Sequence, residues 1–238
     1  MSIQIVSTMR NEAANVPHFL DLIKQLRSDL SIDLEAIIVN NGSVDETQNL
    51  IASMPKQSFI TFLENPTGST YADGIERAIS EVSSSYILII PSDLQFAYPD
   101  LLKILNLFFE RAKNNKRNDG GTFALLTFRK FRTDGRFMKF RGDIWRRIVT
   151  RRLKIDSRLD PASQLKVIPT PNAFVSVNRN FLWDIEVLLD TLKIVSSYEI
   201  VDVSFKPRIY GESALPKNPF KSAKEALLGL TRLTQGEK

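Results

Sequence analysis

The stretch YILIIPSDLQFAYPDLL, from Tyr86 to Leu102, is typical of a buried strand that leads directly into a helix. Its first part is a short apolar run ended by Pro91, as in a strand covered on both faces. Pro99 stands where the first turn of a helix tolerates proline. Asp93 and Gln95 lie between the two elements, at the carboxyl end of the strand. A carboxylate there indicates a binding site; the alternative is that Asp93 only caps the helix.

Strands and helices alternate through the first half of the chain. The predicted strands are IQIVST, LEAIIVN, FITFLE and YILIIP, and the predicted helices are Val16 to Leu30, Asp45 to Ala52 and Ser69 to Val82. A capping box in Ser43 to Glu46 marks the start of the second helix. This order predicts an α/β fold with a mostly parallel sheet and right-handed crossovers. Ligands bind beyond the carboxyl ends of strands in such sheets, where this chain places Arg10, Asn40, Asn41, Asn65 and Asp93.

The second half of the chain has a different order. Its predicted elements are a strand from Thr122 to Phe128, a basic segment, the strand NAFVSV, a helix from Phe181 to near Lys193 and the strand YEIVDVSF. Neither a repeat nor a linker rich in Gly, Pro or Ser separates the halves. We therefore expect one domain over residues 1–215, with halves at 1–128 and 129–215, followed by an amphipathic helix at 216–238.

Composition excludes several kinds of chemistry. The chain of 238 residues is 43% apolar, which is enough for a full core, but it has no cysteine and one histidine, His18. Disulfides, thiolate metal sites and a cysteine nucleophile are excluded, and Ser-His-Asp catalysis has little to work with. The sequence shows neither an apolar run long enough to cross a bilayer nor a signal peptide, so we expect a cytoplasmic location.

One segment of the chain carries its basicity. Residues 129–158 hold twelve Lys and Arg against three Asp, a net charge of +9 in a chain whose total is +5. Such a patch predicts a partner that carries phosphate: nucleic acid, an anionic membrane surface or a phosphorylated substrate. Nucleic acid is the weakest of these, because the arginines lack interleaved aromatics on a β platform. A solvated basic face without a partner is the alternative.

Seven stretches, taken in chain order, resemble one family: VSTMRNEAANVPHFL, IIVNNGSVDET, NPTGSTYADGIERAI, PSDLQFAYPDLL, DPASQLKVI, FLWDIEVLL and FKPRIYGESAL. They are similar to motifs of the inverting family 2 glycosyltransferases of GT-A fold, and within them to the polyprenyl-phosphate (dolichyl-phosphate) mannose and glucose synthases. The resemblance runs almost end to end. It implies a nucleotide-sugar-binding half at 1–128 and an acceptor half at 129–215.

The resemblance also implies where the donor binds. Asp93 and Gln95 would hold the diphosphate of a GDP- or UDP-linked sugar through Mg²⁺ or Mn²⁺, although Pro91 replaces the first Asp of the family's Asp-x-Asp triplet. Arg208 lies in a late loop that closes over the diphosphate. The remaining nucleotide-sugar contacts would come from Thr8, Arg10, Glu12, Asn40, Asn41 and Ser213.

The basic segment resembles the acceptor side of those synthases. On a predicted helix from Asp143 to Ile155, apolar side chains share one side and arginines the other, as in helices that lie in a headgroup layer. The resemblance places this helix against the membrane and gives the acceptor phosphate four arginines: Arg129, Arg132, Arg146 and Arg147. The alternative is that the apolar side packs on the protein core.

Three functions fit these observations. The first is an inverting transfer of a hexose from a nucleoside diphosphate sugar to a polyprenyl phosphate, on the cytoplasmic face of the membrane. The second is transfer to a saccharide hydroxyl, which needs a general base. The resemblance places an acid for this purpose on the predicted helix that starts at Phe181, and we choose Asp184 over Glu186. The third, motivated by Pro91, Asn40 and Asn41, is a binder of nucleotide sugars without turnover.

Overall fold

One mixed sheet runs through the part of the chain that this computed structural model describes, residues 1–115, 121–171, 182–210 and 219–235. Its strands, in chain order, are β1 (Ile3–Met9), β2 (Glu35–Asn40), β3 (Ile60–Glu64), β4 (Tyr86–Ile89), β5 (Phe123–Arg132), β6 (Lys166–Pro169) and β7 (Ser197–Phe205). Side by side they are ordered β3-β2-β1-β4-β6-β5-β7. All neighbours are parallel except that β6 runs against β4 and β5. The mostly parallel sheet that the sequence predicts is confirmed.

Helices cover both faces of this sheet. Among the described residues they are α1 (Val16–Leu30), α2 (Thr47–Ser53), α3 (Tyr71–Ile79), α4 (Tyr98–Asn115), α5 (Arg136–Leu153), α6 (Trp183–Ile194) and α7 (Pro219–Gln235). α1 and α4 pack on one face, and α3 and α6 on the other. Successive strand residues alternate between the two cores, so that Ile5 joins the first and Val6 the second. This is why the strands read as continuous apolar runs.

The largest departures from the predicted boundaries lie in the basic segment. β5 continues to Arg132 instead of ending at Phe128, because its extension pairs with β7 up to Phe205, past a register shift between Arg129 and Phe131. α5 begins at Arg136, well before the predicted Asp143. The basic residues therefore lie on a strand end and one long helix.

The predicted capping box at Ser43 to Glu46 is wrong. α2 has no side-chain cap, and the Ser43 hydroxyl instead accepts a hydrogen bond from Asn11 N at 3.1 Å. A capping box does occur at α3, where the Thr70 hydroxyl accepts from Asp73 N and the Asp73 carboxylate accepts from Thr70 N. Ser43 and Thr70 both have a side-chain hydroxyl that could cap a helix, so the path of each loop determines which of them does.

The apolar side of the second half of α5 packs inside the protein, contrary to the predicted membrane contact. Val149 is fully buried, and Trp145, Ile148 and Leu153 pack against a small core formed with α6 and α7. α7 lies within the amphipathic helix that the sequence predicts at 216–238, and it buries Leu230 in the same core. None of the described helices combines the length and apolarity needed to span a bilayer. The predicted strand NAFVSV and the predicted helix start at Phe181 lie outside the described residues.

Candidate active site

Asp93 lies in the turn between β4 and α4, close to the segment that follows β7. Its side chain is 7% exposed, and the guanidinium of Arg208 lies against it, with Nη2 3.0 Å from Oδ2. Leu94 adopts the left-handed conformation (φ 57°), which is uncommon for a residue with a Cβ. This tight turn brings Gln95 N to 3.3 Å from Asp93 Oδ1. The backbone thus holds the carboxylate in one orientation.

Gln95 ties the same turn to the segment after β7. Its side-chain Nε2 donates to Lys206 O at 2.7 Å, and its backbone O accepts from Lys206 N at 2.8 Å. Its Oε1 accepts from Arg208 Nε at 3.4 Å. Asp93 Oδ2 and Gln95 Oε1 therefore face the same guanidinium. The structure brings together the residues to which the sequence assigns catalysis and metal binding on the donor side.

Burial controls the charge state of the acids here. Burial raises the pKa of Asp93, and Arg208 only partly opposes this effect. Burial also raises the pKa of Glu12, against a hydrogen bond from Asn15 and the charge of Arg208. Because Glu12 responds to the charges of both Asp93 and Arg208, it belongs to the same electrostatic group. Two acids thus share one guanidinium, and a cationic ligand would stabilise their charged forms.

Thr8 and Asn40 bring buried polar atoms to the ends of β1 and β2. Within the described residues, Thr8 Oγ1 and Asn40 Oδ1 have no hydrogen-bond partner. The Asn40 amide donates to Glu64 Oε2 at 2.8 Å. A buried polar oxygen without a partner is costly, so both atoms are candidates for contact with a bound nucleotide. Arg10 is exposed and donates to Ser69 O.

Asn41 serves the loop between β3 and α3. Its Nδ2 donates to Thr70 O at 2.7 Å, and its Oδ1 accepts from Asn65 Nδ2 at 2.8 Å. A Cβ at Gly68 would lie 1.8 Å from Asn41 Oδ1, so only glycine fits there. Both ends of the Asn41 amide are therefore engaged in structure, and its predicted contact with ribose stays a prediction. Ser213 lies outside the described residues.

Arg129 and Arg132, which the resemblance assigns to the acceptor phosphate and which we call the acceptor-side arginines, flank one aromatic ring. Arg129 forms two bonds to Asp160, Nε to Oδ2 at 2.7 Å and Nη2 to Oδ1 at 3.0 Å, while Arg132 pairs with Asp134. Both guanidinium groups lie over the ring of Phe205, at 5.0 and 5.3 Å from its centroid. Phe205 in turn packs on Phe96, close to Asp93. The two arginines do lie beside the site, each paired with a carboxylate.

Arg146 and Arg147 differ from each other, although the sequence assigns both to the acceptor phosphate. Arg146 donates to Ser157 O and lies over the ring of Phe128, with 5.3 Å to its centroid. It therefore braces the end of α5 instead of projecting into solvent. Arg147 is exposed.

Asp184 begins α6 on the acceptor side and is buried against Lys166. Lys166 Nζ lies 3.0 Å from Asp184 Oδ1, and the two side chains are 3% and 9% exposed. Burial, followed by the charges of Asp184 and Asp93, raises the pKa of Tyr71 well above its usual value. Both carboxylates thus act on one phenol, which places Asp184 at the border of the site. The sequence offers Asp184 as a general base; the structure adds that a lysine holds it.

The family model described as Glycosyl transferase family 2 matches residues 4–148, more than half of the chain. The chain belongs to glycosyl transferase family 2. It is therefore a glycosyltransferase, and a function limited to binding is not supported.

Solved structures of glucosyl-3-phosphoglycerate synthase from Mycobacterium tuberculosis resemble this glycosyltransferase. One, in complex with Mn²⁺ and UDP-glucose, has a TM-score of 0.68 at 16% identity, over 99% of this chain and 79% of that one. Another, in complex with phosphoglyceric acid, has a TM-score of 0.66 at 16% identity, over 99% and 80%. At this identity the likeness shows the fold. It confirms the GT-A architecture, whereas the finer resemblance to polyprenyl-phosphate synthases stays a prediction.

The donor side of the glycosyltransferase fits a hard divalent cation. Asp93 Oδ2 and Gln95 Oε1 converge on one cationic group, and Mg²⁺ is commonly held by one or two carboxylates with substrate phosphates. Within the described residues, no group of three acids or histidines forms a site that would bind a metal by itself. A cation here would need oxygen ligands from the substrate, which agrees with Pro91 in place of an acid.

The sequence predicts no role for Lys166 and Asp160, two residues of the motif DPASQLKVI that the structure pairs with Asp184 and Arg129. A signal was present, because a lysine inside the apolar run LKVIP is seldom buried unless it is paired. The partner of each residue could not be named from the sequence, since it lies on a different element.

Proposed function

We propose that this glycosyltransferase moves a hexose from a UDP- or GDP-linked donor to a polyprenyl phosphate, while bound peripherally to an anionic membrane on its cytoplasmic face. The family supplies the reaction class. The proposed identity of the acceptor is supported by one observation, an exposed apolar and basic surface beside the acceptor-side arginines.

The donor half of the proposal rests on the group around Asp93. Asp93, Gln95 and Arg208 converge at the end of β4, and Thr8 and Asn40 offer unpartnered oxygens nearby. The solved neighbour with the same fold was crystallised with Mn²⁺ and UDP-glucose. When bound through Asp93 and Gln95, a cation would neutralise charge on the departing diphosphate.

The chemistry proposed for the site is an in-line displacement. An oxygen of the acceptor phosphate attacks the anomeric carbon, a new C–O bond forms, and the bond to the diphosphate oxygen breaks with inversion. Arg208 stabilises the charge that develops on the diphosphate. A phosphate is already anionic near neutral pH, so this attack requires no general base. That agrees with an Asp184 held by Lys166.

The surface that carries the acceptor proposal lies on the last part of β5 and the first half of α5. We call it the aromatic-basic face, and its apolar members are Phe131, Phe137 and Phe140, which are 57%, 70% and 63% exposed. Exposed basic side chains lie among them: Arg136, Lys139 and Arg141. Amphipathic surfaces of aromatic and basic residues insert into the headgroup layer of anionic membranes.

This face is shifted from the one that the sequence predicts. The predicted membrane side at 143–155 is used for packing, while the apolar residues before it are exposed. The Arg132 guanidinium lies against α5, where a Cβ added at Gly142 would be 2.6 Å from Nη1, and it lies over Phe205 beside the site. A lipid whose tail lies at the aromatic-basic face would thus have its phosphate near the acceptor-side arginines.

A second acceptor class is a small phosphorylated molecule with a free hydroxyl. Neighbours of the same fold were crystallised with phosphoglyceric acid and with glucosyl-3-phosphoglycerate. For this glycosyltransferase that acceptor would use the same arginines, but it would leave the aromatic-basic face without a role. A hydroxyl acceptor would also need Asp184 as a base.

The test combines a transfer assay with a membrane-binding assay. Transfer from UDP-glucose and from GDP-mannose is measured to a polyprenyl phosphate and to phosphoglyceric acid, and binding is measured by sedimentation with vesicles rich in anionic lipid. The double variant Phe137→Ser/Phe140→Ser should lose most vesicle binding and most transfer to the lipid. Ile194→Ser, at an exposed residue of α6, is the matched control and should change neither. Transfer to phosphoglyceric acid alone, with equal vesicle binding by all variants, would contradict the lipid acceptor.

A further inference from the structure

The guanidinium of Arg208 occupies the two oxygens that are candidates to hold a cation. Nη2 lies 3.0 Å from Asp93 Oδ2, and Nε lies 3.4 Å from Gln95 Oε1. A planar cation therefore bridges a carboxylate and an amide, as a divalent ion would. Asp93 is buried whereas Arg208 is 29% exposed, so the arginine reaches its partner from the solvent side.

The segment that carries Arg208 is anchored on both sides of it. Before Arg208, Lys206 exchanges two hydrogen bonds with Gln95, and Phe205 packs edge-on against Phe96. After Arg208, the ring of Tyr210 stacks on His18 of α1, with centroids 5.9 Å apart and planes within 4°. The backbone can keep both anchors while the long Arg208 side chain turns to another partner.

A divalent cation and this guanidinium compete for the same oxygens. Two positive groups at hydrogen-bonding distance of one carboxylate repel each other, and a single carboxylate with an amide is a weak site for a divalent ion. A diphosphate changes this balance, because it brings oxygen ligands for the ion and a new anionic partner for the arginine.

We propose that Arg208 is the built-in counter-ion of the cation site, and that it releases Asp93 and Gln95 only when the diphosphate of the donor gives its guanidinium a new partner. This inference rests on the proposed nucleoside diphosphate donor. Its consequence is an order of binding: the cation does not bind first, and it enters together with the nucleotide.

The test measures Mn²⁺ binding by the loss of the free-ion paramagnetic resonance signal, a measurement that needs no turnover. Wild type should bind Mn²⁺ weakly without nucleotide, while Arg208→Gln should bind it about tenfold more tightly, the scale of one hydrogen bond to a charged group. With UDP present the order should reverse, because Arg208→Gln has lost the diphosphate contact.

Two further variants make the result specific. Arg208→Lys keeps the positive charge and should bind Mn²⁺ alone as weakly as wild type does. Arg77→Gln removes a half-buried arginine paired with Glu81, and as a matched change of net charge it should leave Mn²⁺ binding unaltered. Circular dichroism of each variant checks that it is folded.

Equal affinity of wild type and Arg208→Gln for Mn²⁺ alone would overturn the inference. Equally tightened Mn²⁺ binding in Arg77→Gln would also overturn it, because the effect would then follow from net charge alone. Failure of the proposed donor has a different signature: UDP would not tighten Mn²⁺ binding to wild type, while the tenfold difference without nucleotide would remain.

Discussion

The donor side and the acceptor side of the site each hold a buried aspartate against an arginine, but the two pairs differ in how fully the arginine compensates the acid. On the acceptor side, Arg129 grips Asp160 with two bonds, and burial, which alone would raise the pKa of Asp160, is outweighed so that this pKa is lowered. On the donor side, one guanidinium nitrogen reaches Asp93, burial prevails, and the pKa of Asp93 is raised.

This difference in compensation indicates that Arg129–Asp160 is a structural pair, whereas Asp93 is open to a cationic ligand. In a bidentate pair with good geometry the carboxylate is fully compensated, and it gains little from a further cation. An under-compensated carboxylate gains from any further cation. We therefore expect Asp93 to contribute to the chemistry and Asp160 to contribute to stability.

The largest effect is expected at Asp93. Asp93→Asn removes the charge that balances Arg208 and any bound cation, so transfer should fall roughly a thousandfold, the upper range for loss of one electrostatic group. The melting temperature should change little, because the wild-type carboxylate is itself poorly compensated. Transfer is followed by release of nucleoside diphosphate, and melting by circular dichroism. Near-wild-type turnover would remove Asp93 from the chemistry.

The converse is expected at Asp160. Asp160→Asn leaves Arg129 buried with an uncompensated charge, which should lower the free energy of unfolding by about 3 kcal/mol. Denaturant titration measures this loss. A variant as stable as wild type would show that the bidentate pair is not structural and would break the comparison.

A smaller effect is expected at Asp184 if the acceptor is a phosphate. Asp184→Asn should then reduce transfer to a polyprenyl phosphate only severalfold, since no proton has to be removed. A hydroxyl acceptor would instead lose roughly a hundredfold or more, the scale of a lost general base. The assay compares the two acceptor types across pH. A loss of that size with the lipid would contradict the proposed acceptor.

The smallest effect concerns acid stability. A carboxyl group whose pKa is lowered in the folded protein adds stability above its unfolded pKa of about 3.9, and this stability is lost as the pH falls through the folded value. The difference in unfolding free energy between wild type and Asp160→Asn should therefore be constant near neutral pH and shrink below about pH 4. If the difference in unfolding free energy instead grew as the pH fell, the pKa of Asp160 would not be lowered in the folded protein.

The sequence predicts the donor side better than the acceptor side, for physical reasons. The β4 stretch around Asp93 is local, because one apolar run and one turn place the carboxylate at the sheet edge. Arg208 was placed there by resemblance, and its bond to Asp93 agrees with that placement. The partners of Asp160 and Lys166 lie on distant elements, and no local sequence pattern predicts which residues they are.

The apolar side of α5 packs on the protein instead of facing outward for a similar reason. Periodicity shows that Trp145 and Val149 share a side of the helix, but it does not show what covers that side. α6 and α7 cover it, and both are far along the chain. The exposed Phe137 and Phe140 lie before Asp143, where the predicted helix starts, so the predicted amphipathic pattern does not include them.

β4 carries the turn of Asp93, and the order of the sheet has a consequence for how this turn is made. Both neighbours of β4 are remote in sequence: Ile3 of β1 pairs with Tyr86, and Lys166 of β6 pairs with Ile89. Each of these two strand pairings therefore forms only after a long loop has closed, and loop closure costs chain entropy and slows folding. A nascent or partly unfolded chain that lacks either flank has no fixed place for Asp93, so nucleotide binding should be gained late in folding and lost early in unfolding.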